Sequence, residues 1–251
     1  MSAELKNNVS DVLEYLKAMG LDYVPVPPEA VKAAGRPLKT SPAKAPAASH
    51  TPVARQHEGG KAEALTALRE EMGDCELCGL CSGRTNIVFG EGNPDARIMF
   101  IGEAPGREED LQARPFVGEA GQQLTRLIEK LGFQRGDVYI ANICKCRPPG
   151  NRDPEAGETA ACFPFLNAQI RIIAPEVIIS LGKIATYCLM QPDYPMAKFS
   201  ILKTRGAWFQ YKGLPVMPTT HPAYWLRNRE DKHQVWEDAQ AALKRLEEDR
   251  K

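Results

Sequence analysis

The run Ile98-Met99-Phe100-Ile101, closed by Gly102, constrains this chain more than any other feature. Four large apolar residues in a row, without alternation, suit a strand buried on both faces, as happens where helices cover both sides of a parallel sheet. Glu103-Ala104-Pro105-Gly106 stops that strand abruptly, and Glu108, Glu109 and Asp110 follow, read as solvated or helix-capping acids apart from Glu109. Arg114-Pro115-Phe116-Val117-Gly118 makes a second loop ahead of a helical apolar face, Leu124, Leu127, Ile128 and Leu131. A strand, a glycine loop carrying carboxylates, an aromatic on the next loop and a helix describe a pocket at a strand tip.

Three further strands are expected, at residues 138–141, 177–181 and 216–217, ending at Asn142, at Gly182-Lys183 and at Thr219-Thr220-His221. Helices are expected from the spacing of Ala62, Leu65, Leu68 and Met72, from an Asp153-Pro154 cap and first-turn pair to about residue 173, and over residues 230–248. Residues 199–211 read as a less regular segment. Strands alternating with helices predict a three-layer α/β/α fold around a central, mainly parallel four-stranded sheet. Ligands of such sheets bind beyond the carboxyl ends of the strands, so Glu103, Asn142, Lys183 and His221 are expected to converge.

Residues 1–21 carry an amphipathic pattern, Val9, Val12, Leu13, Leu16 and Met19, that reads as a terminal or partner-docking helix. Residues 22–60 turn to Pro, Ala, Lys and Ser and form a linker, leaving 61–251 as the globular domain. Lys plus Arg and Asp plus Glu both number 32, so no global basic field advertises nucleic acid, although a local cleft can still be positive. No run is long enough to span a membrane, and the first residues lack a signal-peptide core, so the expected location is cytoplasmic. In that reducing compartment the seven cysteines are read as metal ligands rather than disulfides. Cys75, Cys78 and Cys81 have C-x2-C-x2-C spacing, and Cys146 and Cys162 flank a Pro/Gly-rich loop and a helix start. Four thiolates from two segments suit either zinc or a [4Fe-4S] cluster, and spacing alone leaves both open. Cys188 reads as a packed thiol, and Cys144 could belong to either group.

Four strings, Gly-Glu-Ala-Pro-Gly-Arg-Glu-Glu-Asp from 102, Arg-Pro-Phe-Val-Gly from 114, Asn-Ile-Cys-Lys-Cys-Arg-Pro-Pro-Gly-Asn-Arg-Asp-Pro from 142 and His-Pro-Ala-Tyr from 221, occur in this order. Together they resemble the family-4, iron–sulfur uracil-DNA glycosylases, from about Cys75 to the C-terminal helix, with the first sixty or so residues outside the likeness. The resemblance implies a [4Fe-4S] cluster held by Cys75, Cys78, Cys146 and Cys162, a clip that places Arg147, Asn151 and Arg152 rather than a redox centre. Cys81 is then supernumerary and Cys144 stands where that string usually has an apolar residue, so either could substitute as a ligand.

The same resemblance implies base-excision repair by a monomeric, monofunctional enzyme. It would flip uracil from single- or double-stranded DNA, hydrolyse its N-glycosidic bond and release free uracil. Asn142 would read the uracil edge, with Gly102 beside it and Phe116 stacked on the base. His221 would donate to uracil O2, and Glu103 would position water and stabilise the sugar cation, with Glu109 and Asn151 in support. Leu226 and Arg227 resemble the wedge that fills the gap left by the flipped base, a task Trp225 could share. Lys183, Lys203, Arg205, Arg227 and Arg229 are candidate phosphate contacts. Two other readings are a non-turnover or covalent uracil-DNA binding protein and an iron–sulfur redox sensor. A covalent subgroup uses an additional histidine, and none occurs here between Phe116 and Arg152. Intact Glu103, Asn142 and His221 speak against an idle pocket.

Overall fold

The computed structural model describes residues 60–248; the expected N-terminal helix and nearly all of the linker lie outside the described residues. In chain order the elements are α1 (Lys61–Met72), β1 (Glu91–Gly92), β2 (Ile98–Gly102), α2 (Arg107–Gln112), α3 (Glu119–Lys130), β3 (Tyr139–Asn142) and α4 (Ala156–Ile173). They continue with β4 (Val177–Leu181), α5 (Lys183–Met190), α6 (Ile201–Thr204), β5 (Phe209–Tyr211), β6 (Leu214–Thr219), α7 (Pro222–Arg227) and α8 (Lys232–Glu248). No helix among these residues is long and apolar enough to cross a membrane.

The sheet has six strands in the order β1-β3-β2-β4-β6-β5. Its inner four, β3, β2, β4 and β6, are parallel, which is the expected core of the sheet. The expectation of four strands is corrected by the two antiparallel edges, β1 on β3 and β5 on β6. Both are too short to show a period, and β5 lies in the segment read as irregular. Pro215 and Pro218 are tolerated in β6, with Pro215 opposite Gln210 and Pro218 opposite Ser180.

Every residue of β2 and β4 is buried, as the unbroken apolar runs require. Successive side chains alternate between faces. Met99 and Ile101 join one core with Leu65, Leu68, Leu166 and Ile170 of α1 and α4. Ile98 and Phe100 join the other with Leu124 and Ile128 of α3 and Ala239 and Leu246 of α8. These two layers make the α/β/α sandwich. Helix α4 begins two residues after the expected Asp153-Pro154 start, because Glu158 folds back to accept the backbone N–H of Glu155 at 2.8 Å and closes a capping box there.

Candidate functional site

Strands β2 and β3 end side by side, with Gly102 in register with Asn142. A Cβ built on Gly102 would lie 2.4 Å from Asn142 Oδ1 and 2.4 Å from Phe116 Cζ, so glycine alone lets these groups share one point. Phe116 reaches that point from a left-handed backbone, φ 51°, and Gly121 on α3 leaves room for its carbonyl. Arg135 clamps the loop from outside, donating to the carbonyls of Phe116 at 3.0 Å and Pro115 at 2.7 Å while pairing with Glu91. Glu109 holds it from inside: its Oε1 accepts the backbone N–H groups of Val117 at 2.9 Å and Gly118 at 2.8 Å. Asn142 Oδ1 is buried with no hydrogen-bond partner. Buried acceptors of that kind are rare and point to a ligand donor.

His221 closes β6 and caps α7, with Pro222 at the first helical position. Its Nδ1 accepts the Ala223 backbone N–H at 3.2 Å, so a neutral ring carries its proton on Nε2. Burial pulls its pKa down to about 4, with the charge of Glu109 opposing. The His221 ring lies 5.7 Å from the Phe116 ring, centre to centre. Gly182, φ 93°, packs so closely that a Cβ there would stand 2.9 Å from His221 Cβ.

Glu103, half-buried just beyond β2, has its pKa pushed up to about 7, first by burial and then by the charge of Asp153. Glu103, Asp153, Lys183, His221, Tyr224 and Arg227 line one cleft of about 780 Å³, counting space open to solvent. Ile184, Ile201 and Leu202 supply its apolar wall. The strand-end rule thus brings Glu103, Lys183 and His221 to one cleft; Asn142, expected with them, does not line it and lies in register with Gly102, next to Glu103. No sequence signal marked Asp153, Ile201 or Leu202 as part of it.

Other expected residues fall elsewhere. Asn151 is exposed, φ 56°, and accepts Arg147 Nε at 2.7 Å. Leu226 is half-buried on α7 beside Arg227. Trp225, considered for the wedge, is buried in the α3/α8 core and donates to Thr220 Oγ1 at 2.8 Å. Arg205 was expected at phosphate, but its guanidinium pairs with buried Asp238, Nη2 to Oδ1 at 2.6 Å and Nε to Oδ2 at 3.0 Å, and donates to the Gln234 carbonyl. Asp110, expected to be solvated or helix-capping, is buried and accepts the backbone N–H groups of Thr85 at 2.8 Å and Asn86 at 3.2 Å.

Cys75, Cys78, Cys146 and Cys162 line a second, largely apolar cavity with Met72, Ile87 and Arg84; Cys81 and Cys144 do not line it. Arg84, unmarked by sequence, donates to the Cys75 carbonyl at 2.6 Å and approaches Cys146 Sγ at 3.5 Å. The Lys145 backbone N–H points to Cys162 Sγ at 3.2 Å. Burial pushes the thiols of Cys78 and Cys146 up and that of Cys162 up to about 12, so forming thiolates there calls for a metal cation. Among the described residues no group of three or more His, Cys, Asp or Glu side chains is drawn together for a single ion. Four cysteines lining one cavity, with N–H donors beside Cys146 and Cys162, have a donor set that an iron–sulfur cluster can use.

Fold and site together define an α/β protein with a cleft at its strand ends, an unpartnered buried amide at the tip of β3 and a separate cavity lined by four cysteines. A family model described as the uracil DNA glycosylase superfamily matches residues 89–242. A type-4 uracil-DNA glycosylase of Thermotoga maritima is 49% identical over 168 residues, which is 66% of this chain and 85% of that protein. One from Saccharolobus solfataricus is 50% identical over 170 residues, 65% of this chain and 78% of that protein. A type-5 uracil-DNA glycosylase of Thermus thermophilus is 34% identical over 119 residues, 41% of this chain and 53% of that protein. The chain belongs to the uracil DNA glycosylase superfamily.

Proposed function

We propose that this protein is a monofunctional uracil-DNA glycosylase of base-excision repair, taking uracil out of the DNA stack and hydrolysing its bond to the sugar. The observation that carries this reading is the unpartnered, buried Asn142 Oδ1, which shares with the Phe116 ring the space beside Gly102. The type-4 names of its relatives support the same substrate.

Uracil presents an N3–H donor and an O4 acceptor on its reading edge. Asn142 Oδ1 accepts the first and its Nδ2 donates to the second. Cytosine presents an acceptor at N3 and an amine at C4, so both contacts would oppose it. Phe116 stacks on the extruded ring. When the bond from N1 to the sugar breaks, its electron pair leaves with uracil and spreads toward O2. The Nε2–H of neutral His221 donates to that oxygen as charge builds there. Positive charge develops on the sugar, and ionised Glu103 stabilises it. Glu103 then orients water and accepts its proton as the water oxygen attacks the anomeric carbon.

Lys183 at the start of α5 and Arg227 at the cleft rim contact phosphates, while Leu226 fills the gap in the stack. Glu109 acts by fixing the Phe116 loop, and Asn151 by orienting Arg147. Cys75, Cys78, Cys146 and Cys162 would hold a [4Fe-4S] cluster, which when bound supplies a crosslink between the segment around Cys75 and the loop after Asn142.

The test is release of uracil from a labelled oligonucleotide, read as strand cleavage after alkali. Multiple turnovers by wild type, reduced at least about hundredfold in Glu103→Gln and in His221→Ala, are expected. Label migrating with the protein at one equivalent would replace turnover with covalent capture, and no cleavage would overturn the reading.

A further inference from the structure

Lys145 is fully buried, and neither the cleft nor the chemistry above uses its side chain. Its Nζ donates to the Asn142 backbone carbonyl at 2.8 Å and to Gln169 Oε1 at 2.6 Å. Gln169, also buried, reaches across from α4 and donates Nε2 to the Phe89 carbonyl at 2.9 Å and to the Tyr139 hydroxyl at 3.3 Å.

Strand pairing explains why side chains are needed there. Strand β1 pairs with β3 only at Glu91–Ile140 and Gly92–Tyr139. Continuing that register would set Phe89 opposite Asn142. Instead Lys145 takes the Asn142 carbonyl and Gln169 takes the Phe89 carbonyl, so two side chains replace the ladder where the edge strand stops. The far side of Asn142 is still held by the sheet, since Ile143 N–H donates to the Gly102 carbonyl at 2.9 Å. Lys145 is itself anchored in the cysteine loop: its N–H points to Cys162 Sγ at 3.2 Å, its carbonyl accepts Val88 N–H at 2.8 Å, and the next residue is Cys146.

We propose that Lys145 is a positioning residue for base recognition, tying the cysteine loop to the backbone of Asn142 so that its amide stays aimed into the pocket. This inference rests on the uracil-glycosylase reading of that pocket. Asn142 Oδ1 has no protein partner to fix it, so its aim depends on its backbone, and Lys145 holds the side of that backbone which the sheet does not. The cysteine centre thereby acts on base recognition at a distance, through one side chain.

Lys145→Met keeps length and removes the donor, Lys145→Arg keeps donors, and Gln169→Leu perturbs the same network from α4, outside the cysteine loop. Each full-length variant is compared with wild type for bound iron, for kcat and KM on the uracil oligonucleotide, and for competitive inhibition by free uracil. Lys145→Met is expected to keep its iron while inhibition by uracil weakens about tenfold or more, with partial recovery in Lys145→Arg and a smaller loss in Gln169→Leu. Unchanged uracil inhibition and KM in iron-loaded Lys145→Met or, if that variant does not fold, in Gln169→Leu would overturn the inference while leaving the glycosylase intact. Loss of iron from both variants would overturn it too, because Lys145 would then serve the cysteines and not the pocket. A wild type that releases no uracil would instead remove the reading on which it stands.

Discussion

The Nδ1 atom of His221 accepts the backbone N–H of Ala223, two residues further on, at 3.2 Å. That bond turns the imidazole into a fixed donor, since its remaining proton must sit on Nε2, and the same burial that shapes the pocket pulls the ring's pKa down to about 4. The imidazole is therefore neutral throughout the range in which the enzyme would work. Nitrogen NMR of the ring should show the Nε2–H tautomer, neutral, down to about pH 5. Because the folded pKa lies below the ordinary histidine value, this group's contribution to stability is present above about 6.5 and is lost as pH falls through 4. A ring that titrates above pH 6 would contradict the assignment.

Glu103 has the opposite sign. Its folded pKa of about 7 lies above the unfolded value of 4.5, so ionising it opposes folding as pH rises through 7. Replacing it by glutamine should stabilise the protein above pH 7, by on the order of 3 kcal/mol at the limit, and leave stability near pH 4 almost unchanged. Catalysis needs the ionised form, so kcat/KM should rise with pH and level off above about 7. Denaturant titrations at the two pH values and a pH–rate profile check both halves.

Gly102→Ala tests the shared point directly. Its Cβ would overlap Asn142 Oδ1 and the Phe116 ring, both at 2.4 Å. Overpacking of this kind costs about 1–3 kcal/mol in stability, which a domain of this size can absorb, whereas the base pocket cannot. Uracil release should fall at least about hundredfold in a protein that still melts cooperatively.

Arg205 and Arg227 should part company. Truncating Arg205 leaves Asp238 buried without its partner, so Arg205→Ala should lose about 3 kcal/mol of stability or more, while the salt dependence of DNA binding keeps its slope. Arg227→Ala should do the reverse, leaving stability within about 0.5 kcal/mol and reducing the slope of log K against log salt by about one. Thermal melts and binding isotherms at several salt concentrations separate the two.

Much of the site was legible because its residues sit where chain pattern fixes position. The apolar run from Ile98 announced a central strand, and the strand-end rule then carried Glu103, Asn142, Lys183 and His221 toward one end of the sheet without any contact being known. The cysteine spacing gathered two segments but left the metal open; the structure adds that Cys75, Cys78, Cys146 and Cys162 line one cavity that Cys81 and Cys144 do not. What stayed hidden was set by tertiary contact. Glu91-Gly92 and Phe209-Gln210-Tyr211 are strands only because β3 and β6 offer them an edge. Arg205 looks like any surface cation until Asp238, on α8, is seen beside it. Asp110 resembles a solvated helix acid until Thr85 and Asn86 turn their N–H groups toward it.

The central claim is that the Asn142 amide reads uracil, and the most direct measurement is multiple-turnover uracil release by Asn142→Asp against wild type, with iron content matched. The aspartate keeps the shape and the Oδ1 acceptor but replaces the Nδ2 donor by an oxygen facing uracil O4. The account expects release to fall at least about a hundredfold, with DNA affinity at a non-target sequence unchanged. Uracil release at the wild-type rate would show that something other than Asn142 recognises the base.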